Sequence, residues 1–274
     1  MPYVTTRDGT DLYVKDWGSG RPVILIHGWP LSADSWDAQA MALADAGYRA
    51  IAYDRRGFGR SAQPWTGYNY DTFSDDLADV MAATGATADA TLVGFSMGGG
   101  EVARYMSRHS GKGVIAAGLI GSVVPFMLQT DDHPGGAPMD VFDGIKAGII
   151  ADRPGFFRGF LRNFFGVDTL PDPVSDDVVA WAWQIAMQAS LKATLDCVTA
   201  FGTTDFRGDL PAFKVPTLIV HGTGDGIVPI DISARPAAQG IAGAQLIEYD
   251  GAPHGFTVTH RDRFTADLLA FLAA

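Results

Sequence analysis

Cysteine is almost missing: Cys197 is the single one in 274 residues. That excludes an intrachain disulfide and points to a reducing compartment, with the cytoplasm as the expected location. Cys197 lies in an apolar helical run with Leu195, Val198 and Phe201, which reads as core rather than as a nucleophile. Basic residues are few as well: Lys plus Arg number 20 against 31 Asp plus Glu, for a net charge of −11. With no basic cluster, neither nucleic acid nor an anionic membrane surface is an expected partner. No apolar run reaches the length of a membrane span, and the N-terminal segment lacks the charged-then-apolar pattern of a secretion signal. Histidines or cysteines in ligand-spaced pairs are missing, so no metal is expected. Gly18-Ser19-Gly20 is not followed by Lys-Ser/Thr and is no phosphate loop; a haem attachment motif is also missing. No cofactor is expected on these grounds.

What is present is a chain of 47% hydrophobic residues, enough for one large domain or one domain with an insertion. Tyr3–Thr5 and Leu12–Trp17 read as a short antiparallel pair around Asp8-Gly9. Val23–Ile26, Tyr48–Tyr53, Thr91–Gly94, Val114–Ile120, Thr217–Val220 and Ala244–Tyr249 are apolar runs of the kind buried on both faces. Helical stretches alternate with them. One follows Ser32 or Asp34 with Trp36, Met41 and Leu43 as its apolar side; another spans Asp71–Thr84 with Phe73, Leu77 and Val80 or Met81. Others cover Glu101–His109, Ile230–Gln239 (broken by Pro236) and Arg261–Leu272. Strand alternating with helix predicts an α/β fold: a mostly parallel sheet with helices on both faces.

The interval 123–206 interrupts that alternation. It offers no strand, and helical runs near Asp140–Ala151, Phe156–Phe165, Asp176–Ala189 and Lys192–Gly202. It is rich in Phe, Trp and Met, which suggests an apolar pocket. We read it as a helical cap inserted after the sixth strand, between core segments 1–122 and 207–274.

Gly94-Phe95-Ser96-Met97-Gly98 is a G-x-S-x-G pentapeptide between a strand and a helix, the setting of a nucleophile elbow. A serine hydroxyl needs a base, and the base an orienting group. In a doubly wound sheet these come from loops at strand carboxyl ends. Asp225 and His254 follow the two strands after the cap, giving the chain order Ser96, Asp225, His254. His221 reads as a satisfied polar residue at its strand end, and His260 as a helix-surface residue. The oxyanion hole is expected from the backbone N–H groups of Met97 and of Trp29, in the loop His27-Gly28-Trp29-Pro30. Trp29, Pro30, Val123, Phe160, Phe164 and Ile227 are the expected substrate-binding wall, the two phenylalanines lying four apart on one helical face.

These motifs, together with Asp54-Arg55-Arg56-Gly57-Phe58-Gly59-Arg60-Ser61, His221-Gly222-x-x-Asp225 and Ala252-Pro253-His254-Gly255, resemble the α/β-hydrolase family of cofactor-free bacterial chloroperoxidases and aryl esterases. The resemblance runs through essentially the whole chain. It implies an eight-stranded sheet, ester hydrolysis, and perhydrolysis of short carboxylic acids with hydrogen peroxide to peracids that oxidise halide. It also implies small acyl partners, water or peroxide as acceptor, and a homo-oligomer. A similar branch hydrolyses γ-lactams with the same three residues, and a non-catalytic small-molecule receptor on this fold is the alternative from another class. Haloalkane dehalogenases and epoxide hydrolases carry an aspartate where Ser96 stands.

Overall fold

A computed structural model describes residues 2–274. Eight strands form one sheet: β1 Tyr3–Thr5, β2 Asp11–Gly18, β3 Pro22–Ile26, β4 Arg49–Tyr53, β5 Ala90–Phe95, β6 Val114–Ile120, β7 Thr217–Gly222 and β8 Gln245–Tyr249. Their order is β1-β2-β4-β3-β5-β6-β7-β8. β1 and β2 pair antiparallel, as do β2 and β4; every later pairing is parallel. Within each central strand alternate residues serve opposite faces. Ile24 and Ile26 belong to one apolar core with Phe73, Leu77 and Met106. Val23 and Leu25 belong to the other, with Trp36, Leu43 and Phe264. The continuous apolar runs in the sequence are thus the signature of a sheet covered on both sides.

The first of these cores is closed by α2 (Tyr70–Thr84), α3 (Met97–Arg108) and α7 (Ala234–Gly240), the second by α1 (Asp37–Asp45) and α9 (Arg261–Ala273), which follows the short α8 (Phe256–Thr259). Local chemistry sets their ends. Asn69 Oδ1 accepts from the Thr72 N–H at 3.0 Å to start α2, and Gly85 at φ +70° ends it. In α1, Ala40 and Leu43 are buried, whereas Met41 is 60% exposed rather than part of the apolar side. Positions 41 and 43 are two apart, about 200° around a helix, so both cannot face the sheet.

Between β6 and β7 the chain leaves the sheet for α4 (Met139–Phe164), α5 (Asp176–Gln188) and α6 (Leu191–Thr203). The two helical runs expected before residue 166 are joined in α4, with non-helical backbone at Asp152 and Pro154 beside it. Pro236 does not break α7. It sits in the first turn, where its missing N–H costs nothing, and the interruption lies upstream at Ser233. Among the described residues no helix is long and apolar enough to cross a membrane.

Candidate active site

The turn from β5 into α3 places Ser96 at φ 54°, ψ −118°, a strained conformation for a residue with a side chain. Three hydrogen bonds hold it there: the Ser96 N–H donates to the Ile120 carbonyl at 2.8 Å, and its carbonyl accepts from the N–H groups of Gly99 at 3.0 Å and Val123 at 3.3 Å. Helix α3 begins at Met97, earlier than the run from Glu101 in which helix-forming residues first appear. Glycines are poor helix formers, yet here packing decides. A Cβ on Gly98 would lie 2.5 Å from the Ile26 carbonyl oxygen, so only glycine lets the helix start against the end of β3.

The sheet's carboxyl edge brings the three predicted residues together. Ser96 Oγ is 2.9 Å from His254 Nε2, and His254 Nδ1 is 2.5 Å from Asp225 Oδ2. Asp225 Oδ1 accepts the backbone N–H groups of Ile227 at 2.9 Å and Val228 at 2.8 Å. Burial pushes the Asp225 carboxyl up, but His254 and His221 outweigh it, and the net displacement is downward. Asp225 therefore stays an acceptor, His254 carries its proton on Nδ1, and Nε2 is left to accept the Ser96 hydroxyl proton.

His221 departs from its sequence reading. Its Nε2 is 2.8 Å from the Val228 carbonyl and 3.3 Å from Asp225 Oδ2, while Nδ1 is buried without a partner among the described residues. It is not a satisfied bystander but a second imidazole on the same carboxylate. The signal was the i, i+4 spacing of His221 and Asp225, which has no meaning for a strand end until the loop's fold is known.

Ser96 and His254 sit in the wall of a cavity of about 250 Å³. Trp29, Val123, Phe160 and Ile227 line it as expected. Met127, Val141, Phe142, Ile145 and Phe201 join them from the β6–β7 segment. Among the described residues, the only charged or titratable side chain on the lining is that of His254.

Pro30 and Phe164 do not line it. Pro30 is buried next to Trp29 in the chain, and the Trp29–Pro30 peptide is cis. Phe164 packs edge-on to the His254 ring at 5.2 Å, and its carbonyl accepts the Gly255 N–H at 2.7 Å. It steadies the histidine from the far side. Phe160 and Phe164 pack against each other at 6.1 Å, yet only Phe160 lines the cavity.

Trp29 is anchored by its indole N–H to the Thr194 carbonyl at 3.1 Å and by the rings of Phe157, Phe160 and Phe201. Its loop presses on the elbow, for a Cβ on Gly28 would lie 2.9 Å from Ser96 Cβ. Neither the Trp29 nor the Met97 backbone N–H has a hydrogen-bond partner among the described residues. Among those residues no group of three His, Cys, Asp or Glu side chains is placed to hold a metal ion.

Comparison with known proteins agrees with this architecture. A family model described as the alpha/beta hydrolase fold matches residues 21–260. The chain is 44% identical over 274 residues to the non-heme chloroperoxidase CPO-A1 of Kitasatospora aureofaciens, covering 99% of each chain. It is 42% identical over 275 residues to the bifunctional esterase/perhydrolase DCH of Acinetobacter calcoaceticus, again covering 99% of each. The crystal structure of a bromoperoxidase from Bacillus anthracis superposes with a TM-score of 0.94 at 45% identity, covering 99% of each chain. With a Ser–His–Asp array at the carboxyl edge of this sheet and likeness along its whole length, the chain belongs to the α/β hydrolase fold family, in the group of the non-heme chloroperoxidases and esterase/perhydrolases.

Proposed function

We propose that the protein is a serine esterase and perhydrolase for small acyl groups. One observation carries the reading: Ser96 Oγ stands 2.9 Å from His254 Nε2 on the wall of an apolar cavity. Ser96 Oγ attacks the ester carbonyl carbon while His254 Nε2 takes the hydroxyl proton. The tetrahedral oxyanion is held by the N–H groups of Met97 and Trp29. Collapse expels the alcohol, which leaves with the proton from His254, and an acyl-serine remains. Water then gives the carboxylic acid, or hydrogen peroxide gives the peracid, with His254 again taking and returning the proton. A carboxylic acid can also acylate Ser96 with loss of water, so acid plus peroxide yields peracid, which oxidises halide in solution. Asp225 orients His254 and balances its charge. In this reading residues 123–206 act as the cap over the site, and the enzyme works as a homo-oligomer in the cytoplasm, as the family resemblance and the single cysteine suggest.

The reading is tested by assaying purified protein with p-nitrophenyl acetate and with acetate plus peroxide and halide. Absence of both activities would refute it. Cavity size supplies a further expectation. About 250 Å³ is at the small end for a ligand site, so short acyl esters should have higher kcat/KM than long ones. Phe160→Ala should move the optimum to longer chains, because Phe160 fills one wall beside Trp29. A long-chain preference in the unmodified enzyme would show that this wall does not limit the acyl group. Peroxide-dependent activity is expected to survive exhaustive chelation and dialysis, since the proposed steps use only protein groups. Loss of turnover with a stoichiometric metal would contradict that.

A further inference from the structure

The Asp54-Arg55-Arg56-Gly57 motif takes no part in the proton relay, yet it contributes an ion pair almost without exposure. Arg55 and Glu101 are 1% and 0% exposed. Arg55 Nε donates to Glu101 Oε2 at 2.9 Å, and the Tyr53 hydroxyl donates to Oε1. Removing two such charges from water is costly, and an apolar pair of similar volume is often as stable. Stability is therefore a weak reason for its presence, and what else it touches is informative. Arg55 Nη2 donates to the His27 carbonyl at 2.8 Å, and the Arg55 backbone N–H donates to His27 Nε2 at 3.0 Å. Because Nε2 accepts, the ring proton is on Nδ1, which donates to the Gly28 carbonyl at 2.8 Å. Backbone and ring of His27 are thus held just before Trp29.

The other end of the pair lies on α3. Glu101 follows Met97 by one helical turn, on the helix that starts against the same loop. The ion pair, through the hydrogen bonds of Arg55 to His27, thus links the loop that carries Trp29 to the helix that begins at Met97. We propose that Arg55 and Glu101 are positioning residues for the oxyanion hole, holding the Trp29 and Met97 N–H groups at the separation a tetrahedral intermediate requires. This rests on the reading of Ser96 as nucleophile. Donors must be placed to within about 0.5 Å to act on developing charge, so a pair that couples both elements acts on the transition state rather than on substrate binding.

The test is the double variant Arg55→Met/Glu101→Leu, which removes both charges together and leaves neither one buried alone. Circular dichroism and thermal melting establish that it folds. We expect kcat to fall roughly 10–100-fold, somewhat less than loss of an oxyanion donor itself, with KM for a short ester within about twofold. Affinity for a short alkyl trifluoromethyl ketone, whose serine adduct carries the oxyanion, should fall by the same factor as kcat/KM. A folded double variant with unchanged kcat, or with unchanged ketone affinity, would overturn the proposal. If it does not fold, Arg55→Lys decides by the same two readouts. It keeps a positive charge beside Glu101 but lacks the planar fork that also reaches His27. Ser96→Ala is assayed in parallel: full activity there would remove the underlying serine reading, whereas an inactive Ser96→Ala beside an unaffected Arg55 variant would remove only this one.

Discussion

Ser96→Ala should lower kcat by roughly 10⁴–10⁶-fold, the loss that follows when the nucleophile of such an array is removed. The residue has no substitute. Among the described residues no other hydroxyl accompanies it on the cavity lining, and His254 Nε2 is directed at Ser96 Oγ at 2.9 Å. Stability should change little, because alanine meets the same backbone conformation at φ 54°. A serine-directed phosphonate should add its mass to the peptide containing Ser96 and to no other. Labelling elsewhere, or undiminished turnover of p-nitrophenyl acetate by the alanine variant, would remove Ser96 from the mechanism.

The second large effect is expected from Asp225→Asn, and its direction follows from three donors around one carboxylate. The backbone N–H groups of Ile227 and Val228 point at Oδ1, so the asparagine oxygen must take that place. Its NH₂ group then faces His254 Nδ1, where Oδ2 now lies at 2.5 Å. A donor there makes Nδ1 the acceptor and moves the imidazole proton to Nε2, opposite the Ser96 hydroxyl. The histidine can no longer take the serine proton. Turnover should fall by about 10⁴-fold, with the fold intact. The check is kcat together with phosphonate labelling of Ser96, which should slow in parallel. A variant within tenfold of the parent would show that Asp225 is not what orients His254.

Much of this site was legible from local patterns. The pentapeptide around Ser96 announces a strand-to-helix turn because glycine is needed wherever strand and helix meet without room for Cβ. Asp225 and His254 could be placed because each follows an apolar run with its own strand signal. The parallel sheet then carries the ends of such strands to one edge. The start of α3 was not legible in the same way. Three glycines lower helix propensity, and only the closeness of Ile26 to Gly98 explains why the helix includes them.

Chain order, strand runs and the elbow are properties of short segments. They depend on steric limits and on hydrophobic periodicity within a few residues, and the sequence alone determined them. Which side chains meet is another matter. Phe160 and Phe164 share a helical face, yet only the placement of α4 decides that one lines the cavity while the other backs His254. His221 meets Asp225 only because the intervening loop turns back on β7. Arg55 finds Glu101 across 46 residues of chain, through the adjacent placement of separate elements. Such contacts follow from packing between distant segments, where a shift of an ångström changes the partner, and no periodicity in the sequence encodes that distance.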